Sequence, residues 1–404
     1  MQRTVNHDDM RSANMESVFD CIRAHAPVTK RQIQSLTGLS WGSVSNLCSI
    51  LLERGVLREL PVRTEGAGRN PSGFDINLKD NLIIGLDVNL SGLTGVVCDL
   101  RSRVLARVWR PTEGRKGEDI LRLMKEAAAE LLGQTAAGTV KGLAIAFPGQ
   151  VDAERGVSLW THQFGSLSEV NMREIFQRAF GLEVLLEHDP NCMAVCEHWM
   201  GAAQDVEDFL FVRLSYGIGM GILTGGAVYR GHSGASGEIG HMTMLPDGEP
   251  CCCGNRGCLE TVASVDAILR RCRELAADGR APLLASIAAG GPITLEAAAR
   301  AARQGERAVA EVFSRAADYA GIAVANVVNI IDPAAVVIGG ELAAYPDLCI
   351  ERLRETVGSR AWSGPVDLRV SSLGGDSAAI GAAAMFIRRV FFRISEEQAA
   401  VGGL

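Results

Sequence analysis

A chain of 404 residues, 47% hydrophobic and 22% charged, is too long for one small domain and has the composition of two or three compact globular units. A net charge of −7 argues against nucleic-acid binding by the molecule as a whole, and the longest apolar run, residues 321–331, is too short to span a bilayer. No N-terminal segment joins a basic start to an apolar run, so a cytoplasmic protein is expected. In that reducing compartment most of the 11 cysteines read as small buried hydrophobes rather than disulfide partners.

Charge is unevenly placed. Residues 22–79 hold eight Lys/Arg against four acids, a local excess of +4 on an acidic body. Met15, Val18, Phe19 and Ile22 follow helical spacing, and Pro27 ends that helix. Thr29 with Gln32 forms a capping box for a second helix, whose apolar face is Ile33 and Leu36. Gly38 makes a turn, Ser40 caps a third helix with inner face Val44, Leu47 and Leu51, and Gly55 ends it. Residues 56–62 and the alternating Phe74, Ile76 and Leu78 flank a Gly-rich tip, which predicts a β-hairpin. Residues 1–80 therefore read as a winged helix-turn-helix that binds DNA. Ser40, Trp41, Ser43, Ser45 and Asn46 start the third helix and are offered to a major groove, and Arg69 in the tip to a minor groove. Trp41 could equally pack on the neighbouring helix.

From residue 81 the texture changes. Strands are predicted at 82–88, 93–100 and 104–109, then a helix at 118–132, a strand at 140–147 and a helix at 172–180. A strand at 184–187 and a helix at 191–200 follow. A second strand hairpin, 209–214 with 219–224, precedes a helical stretch at 295–328, a strand at 335–338 and a C-terminal helix from about 376. Two hairpin-led α/β halves imply an internal duplication with a ligand cleft between them. The halves are expected at 81–195 with 376–393, and at 196–375.

His241 is followed after nine residues by Cys251-Cys252-Cys253-Gly254-Asn255-Arg256-Gly257-Cys258-Leu259-Glu260. Thiolates and an imidazole suit a tetrahedral zinc ion; His241, Cys251, Cys253 and Cys258 are the expected ligands, with Cys252 turned away. A closed four-ligand set leaves no open position, so the metal reads as structural. The alternative is a reduced cluster without metal.

The Gly-His pair followed by Cys-x-Cys-Gly-x-x-Gly-Cys-x-Glu resembles the zinc signature of the ROK family, which includes sugar-responsive repressors and sugar kinases. The likeness covers essentially the whole chain, and the N-terminal module is similar to the repressor branch, such as the xylose and N-acetylglucosamine repressors. It implies a duplicated, actin-like ATPase (ribonuclease-H-like) α/β domain. It also implies a sugar site at Glu238, His241, Glu260, Asp189 and the backbone of Gly149, with Gln163 near where kinases place an Asn. Asp189 matches the kinases' catalytic base.

Kinases of this family carry two Gly-rich phosphate loops. The first, normally Asp-x-Gly-Gly-Thr, is here Asp87-Val88-Asn89-Leu90-Ser91; the second, normally Gly-Thr-Gly-x-Gly, is Ser215-Tyr216-Gly217-Ile218-Gly219. Phosphoryl transfer depends on phosphate positioning, so catalysis is not expected. The expectation is a sugar-responsive transcriptional regulator, a repressor of carbohydrate-metabolism genes, with operator DNA, a sugar or sugar phosphate, and a second copy of the chain as partners. An ATP-dependent sugar kinase with a regulatory N-terminus, and a co-regulator that binds a protein partner, are the rival readings.

Overall fold

The computed structural model describes residues 7–61, 72–136 and 138–392. The N-terminal module contains α1 (His7–His25), β1 (Val28–Thr29), α2 (Lys30–Thr37), α3 (Trp41–Glu53), β2 (Leu57–Pro61) and β3 (Ser72–Ile76). Thr29 caps α2 through the expected box with Gln32, and Gly38 ends that helix in the left-handed region. The Ser40 hydroxyl caps α3 by accepting from Ser43 N at 3.1 Å. Met15, Val18, Phe19, Ile22, Ile33, Val44, Leu47 and Leu51 are buried together. Leu36 is not; it is 56% exposed, because α2 is short and Ile33 alone reaches the core. The sheet has the order β1-β3-β2, so the hairpin gains a short third strand that Pro27 concealed.

The first large sheet uses β4 (Leu82–Val88), β5 (Leu93–Cys98) and β6 (Val104–Arg110) as a meander, then α4 (Glu118–Gly133) and β7 (Val140–Phe147). A small side sheet of β8 (Gln150–Asp152), β9 (Val157–Trp160) and β10 (Val170–Asn171) was not legible from these short runs. It is followed by α5 (Met172–Phe180), β11 (Glu183–His188) and α6 (Asp189–Met200). The second sheet begins with β12 (Phe209–Leu214), β13 (Ile218–Thr224) and β14 (Ala227–Val228). Helices α7 (Leu259–Ala263), α8 (Val265–Ala277), α9 (Pro282–Ala288), α10 (Leu295–Arg303) and α11 (Arg307–Ile331) come next. The chain then adds β15 (Ala335–Gly339), α12 (Glu351–Arg360), β16 (Leu368–Val370) and α13 (Ser377–Phe386). The single helical stretch expected at 295–328 is two helices, divided at Gly305.

The sheet orders are β11-β7-β4-β5-β6 and, in the same sense, β16-β15-β12-β13-β14. In each, two parallel pairings lead to a central strand that opens an antiparallel meander. This position-by-position match is the expected duplication, and the mixed α/β architecture follows from it. Apolar faces of the two halves form separate cores around Leu86, Met124 and Phe176, and around Leu210, Phe313 and Val324. A third core, around α6 and α13, continues into the N-terminal module.

Close backbone contact fixes α6 against α13. A Cβ on Gly381 would fall 1.8 Å from the Cys192 carbonyl oxygen, so only glycine permits this approach. The N-terminal module is seated on the same pair. Phe19 and Phe392 rings lie 4.9 Å apart, and Asp75 of β3 accepts from Arg58 at 2.7 Å and from Arg101 of the large domain at 2.8 Å. No described helix is long and apolar enough to cross a membrane.

Candidate ligand cavity and metal cluster

The five residues expected at the sugar site meet in one cavity. Gly149 follows β7, Asp189 begins α6, Glu238 and His241 follow the second hairpin, and Glu260 lies in α7; all five line a cavity of about 290 Å³. Trp160, His162 and Gln163 line it too, so the loop after β9 forms a wall. The loop at 231–236 is not among its lining. Its Ser236 hydroxyl instead donates to the Tyr229 carbonyl at 2.6 Å, folding the loop onto itself. Thr161 Oγ1, Gln163 Oε1 and Ser215 Oγ are buried without a partner among the described residues. Two of these, on Thr161 and Gln163, belong to cavity-lining residues. Glu260 is partly committed, since its Oε2 accepts from Ile218 N at 3.0 Å and pins the turn of the second hairpin.

The metal-ligand geometry is specific. Donor atoms of His241, Cys251, Cys253 and Cys258 all lie within 4.8 Å of one another. Cys253 Sγ and Cys258 Sγ are 3.7 Å apart, and Cys251 Sγ is 3.5 Å from His241 Nδ1. A tetrahedron with Zn–S and Zn–N bonds of about 2.3 and 2.0 Å has S–S and S–N edges of about 3.8 and 3.5 Å. The four side chains therefore fit a tetrahedral ion of zinc's size. Nδ1 is directed at the sulfurs, which leaves Nε2 as the ring nitrogen for the cavity. Cys252 stays outside the four; its sulfur lies 3.8 Å from Glu260 Oε1. Gly257 makes the loop possible: its φ is +63°, and a Cβ there would stand 1.5 Å from the Leu245 carbonyl oxygen.

At the inner end of the cavity Asp189 accepts a hydrogen bond from Arg213 of β12, and its other oxygen is 3.5 Å from His188 Nε2. Burial works against the Arg213 charge, but Asp189, Asp87 and Glu341 outweigh it and hold its pKa above the ordinary value. Arg213 was not singled out from the sequence. Its signal was there, a lone cation in the otherwise apolar strand Phe-Leu-Phe-Val-Arg-Leu. A second ion pair joins the halves: Arg230 donates twice to Glu187 Oε2, at 2.9 and 2.7 Å.

The first phosphate loop is closed on itself. Asn89 Oδ1 accepts from Ser91 N at 2.9 Å and from Gly92 N at 3.3 Å, and Asn89 Nδ2 donates to Asp87 at 2.9 Å. Amides that would grip a phosphate are thus taken by a side chain. Asp87 lies beneath this turn, 1% exposed. Burial, reinforced by Asp189 and Glu341 and opposed by Arg213 and Asn89, pushes its carboxyl up to about 7.

In the N-terminal module, Trp41 is 52% exposed, Asn46 is exposed and Ser43 half-buried at the start of α3. All three serine hydroxyls are engaged: Ser40 caps the helix and lies 2.9 Å from Ser43 Oγ, and Ser45 Oγ accepts from Lys30 Nζ at 3.1 Å. Arg69 lies outside the described residues.

A profile described as the ROK family matches residues 83–389. The xylose repressor of Caldicellulosiruptor bescii is 29% identical, over 95% of this chain and 97% of its own. Among solved structures, a ROK family transcriptional regulator described as a homologue of the Escherichia coli MLC protein is similar with a TM-score of 0.78 and 24% identity. That match covers 95% of this chain and 97% of the other. A ROK family glucokinase from Streptomyces griseus, solved with glucose and AMPPNP, covers 75% of this chain and 98% of its own, with a TM-score of 0.68 and 28% identity.

Proposed function

The chain belongs to the ROK family, and from that premise we propose that it is a sugar-responsive, DNA-binding transcriptional regulator, a repressor of carbohydrate-metabolism genes. Residues 1–80 are its winged helix-turn-helix and 81–404 its sugar-binding domain. The observation that carries this reading is the single cavity in which Gly149, Asp189, Glu238, His241 and Glu260 converge beside the Cys3His cluster. Carboxylates and an imidazole exchange hydrogen bonds with vicinal hydroxyls, and a half-buried cavity of this size suits one small sugar.

Zinc held by His241, Cys251, Cys253 and Cys258 would supply a rigid, closed tetrahedron and no reactive position. The chain's own residues do the rest. His241 presents Nε2 to the ligand, Glu238 accepts from it, and Glu260 orders the second hairpin turn beside it. Trp41, Ser43 and Asn46 of α3 face the major groove, while Arg69 reaches the minor groove. A dimer sets two such helices on a pseudo-palindromic operator. Sugar bound between the halves favours one closure state and thereby alters the grip on DNA, which requires unequal affinity for the two states.

A selection from random duplexes at low salt, followed by release with a sugar panel, tests this reading. Enrichment of a palindromic site that a sugar weakens supports it; no sequence preference at all overturns it. The glucokinase likeness keeps sugar phosphorylation as the second reading. ADP release at ordinary kinase rates, abolished by Asp189→Asn, would establish it instead. The closed Asn89 turn and the commitment of Asp189 to Arg213 favour the regulator.

A further inference from the structure

Arg213 stands in the wall between two cavities. One is the ligand cavity just described. The other, about 400 Å³, is lined by Asp87, Asn89, Gly339, Gly340, Glu341 and Asp376 among others. The guanidinium reaches across from β12 of the second half to Asp189 of the first, so it closes the inner end of the ligand cavity where Asp189 faces it. A ligand substituent that extends past Asp189 has to enter the second cavity.

What it meets there is negative charge. Asp87 Oδ1 and Glu341 Oε2 are buried and have no partner among the described residues, whereas Asp376 on the same wall is paired with Arg107. Three carboxylates, Asp87, Asp189 and Glu341, share the one guanidinium, and its contact with Asp189 is already made. Burial, more than any neighbouring charge, raises the Asp87 carboxyl to about 7, which marks this cavity as poorly solvated. A hydroxyl at this point finds acceptors in plenty. A phosphate finds like charge in a poorly solvated place, where such juxtaposition is strongly unfavourable.

We propose that Arg213 and the acids behind it make the cavity selective for an uncharged sugar, excluding the ester phosphorylated at the hydroxyl that meets Asp189. This rests on the cavity being a sugar site. Arg213 acts here as a specificity determinant: it stands in the passage between the cavities, and its charge is offset by Asp189, Asp87 and Glu341.

The test is calorimetric titration of the full-length, zinc-loaded protein with matched pairs. These are glucose and its 6-phosphate and N-acetylglucosamine and its 6-phosphate, with free xylose titrated as a third sugar. The expected result is one free sugar that binds, with its ester bound roughly 100-fold more weakly or not at all. Glu341→Gln, which lies outside the ligand cavity, should leave the free sugar's affinity unchanged and narrow that gap by about tenfold. An ester that binds as tightly as its sugar, or a gap unmoved by Glu341→Gln, overturns the proposal. Binding of neither member of any pair would instead overturn the sugar reading itself, and this inference with it.

Discussion

The guanidinium of Arg23 lies 4.6 Å from the ring centroid of Trp199. Arg23 belongs to α1 of the N-terminal module, whereas Trp199 ends the helix that Asp189 begins. A 12-residue helix is about 18 Å long, so α6 connects the inner end of the cavity to the N-terminal module in one rigid element. The contact is a partly buried cation–π pair, worth about 0.5–2 kcal/mol. Arg23→Ala is expected to leave sugar affinity and operator affinity each within about threefold, while reducing sugar-induced release. Fluorescence anisotropy of labelled operator, with and without sugar, measures all three. Unchanged release would show that coupling runs elsewhere.

The start of α3 separates two kinds of residue. Trp41→Ala or Asn46→Ala should cut specific operator binding by about 10- to 100-fold, consistent with roughly 1–3 kcal/mol per lost base contact, and leave sugar binding intact. Ser40→Ala should act differently, because its hydroxyl caps the helix. A loss of about 1 kcal/mol of stability is expected, with little change in which sequence is preferred. Thermal melts beside a binding-site selection distinguish the two effects.

Metal removal should silence the sugar response before it unfolds the chain. His241 serves both the cluster and the cavity, and Glu260 follows Cys258 by two residues. Cys258→Ser, or chelation of the wild type, should abolish calorimetric sugar binding while far-ultraviolet circular dichroism changes little. Gly257→Ala should have the same consequence through backbone strain, since a Cβ meets the Leu245 carbonyl. Normal sugar binding by chelated protein would remove the metal from the site's organisation.

Stability should decline as pH rises toward neutrality. Asp87 has a folded pKa of about 7 against an unfolded value near 4, so the folded state holds the proton more tightly. Its contribution is fully present below about pH 4 and is lost as pH rises through about 7, a loss on the order of a few kcal/mol. Asp87→Asn should flatten this decline. Urea titrations of both proteins at pH 5 and pH 8 give the comparison; equal pH dependence would contradict the assignment.

Most of the fold was legible because apolar periodicity and turn residues agree along the chain. Strand 140–147 and helix 172–180 fall where their patterns place them. What escaped was short or set by tertiary contact. The two-residue β1 has no periodicity to read, and Leu36 has the right spacing but no partner surface. The ligand cavity was legible only where the motif names residues. Arg213 lies far from that motif in sequence, and its role exists only because β12 passes opposite the start of α6. The Asn89 side chain closing its own turn is likewise a matter of geometry, although the residue type already signalled that phosphate would be displaced.

The backbone contact between Gly381 and Cys192 bears on how a signal travels. No side chain lies at that crossing to rotate and absorb a displacement, so α6 and α13 behave as one stiff beam. The beam meets one end of α1 through Trp199 on Arg23 and, just beyond α13, its middle through Phe392 on Phe19 and Arg388 on Glu16. A tilt imposed at Asp189 therefore arrives at the N-terminal module as a torque applied at two separated places, able to reorient α1 and not merely to nudge it.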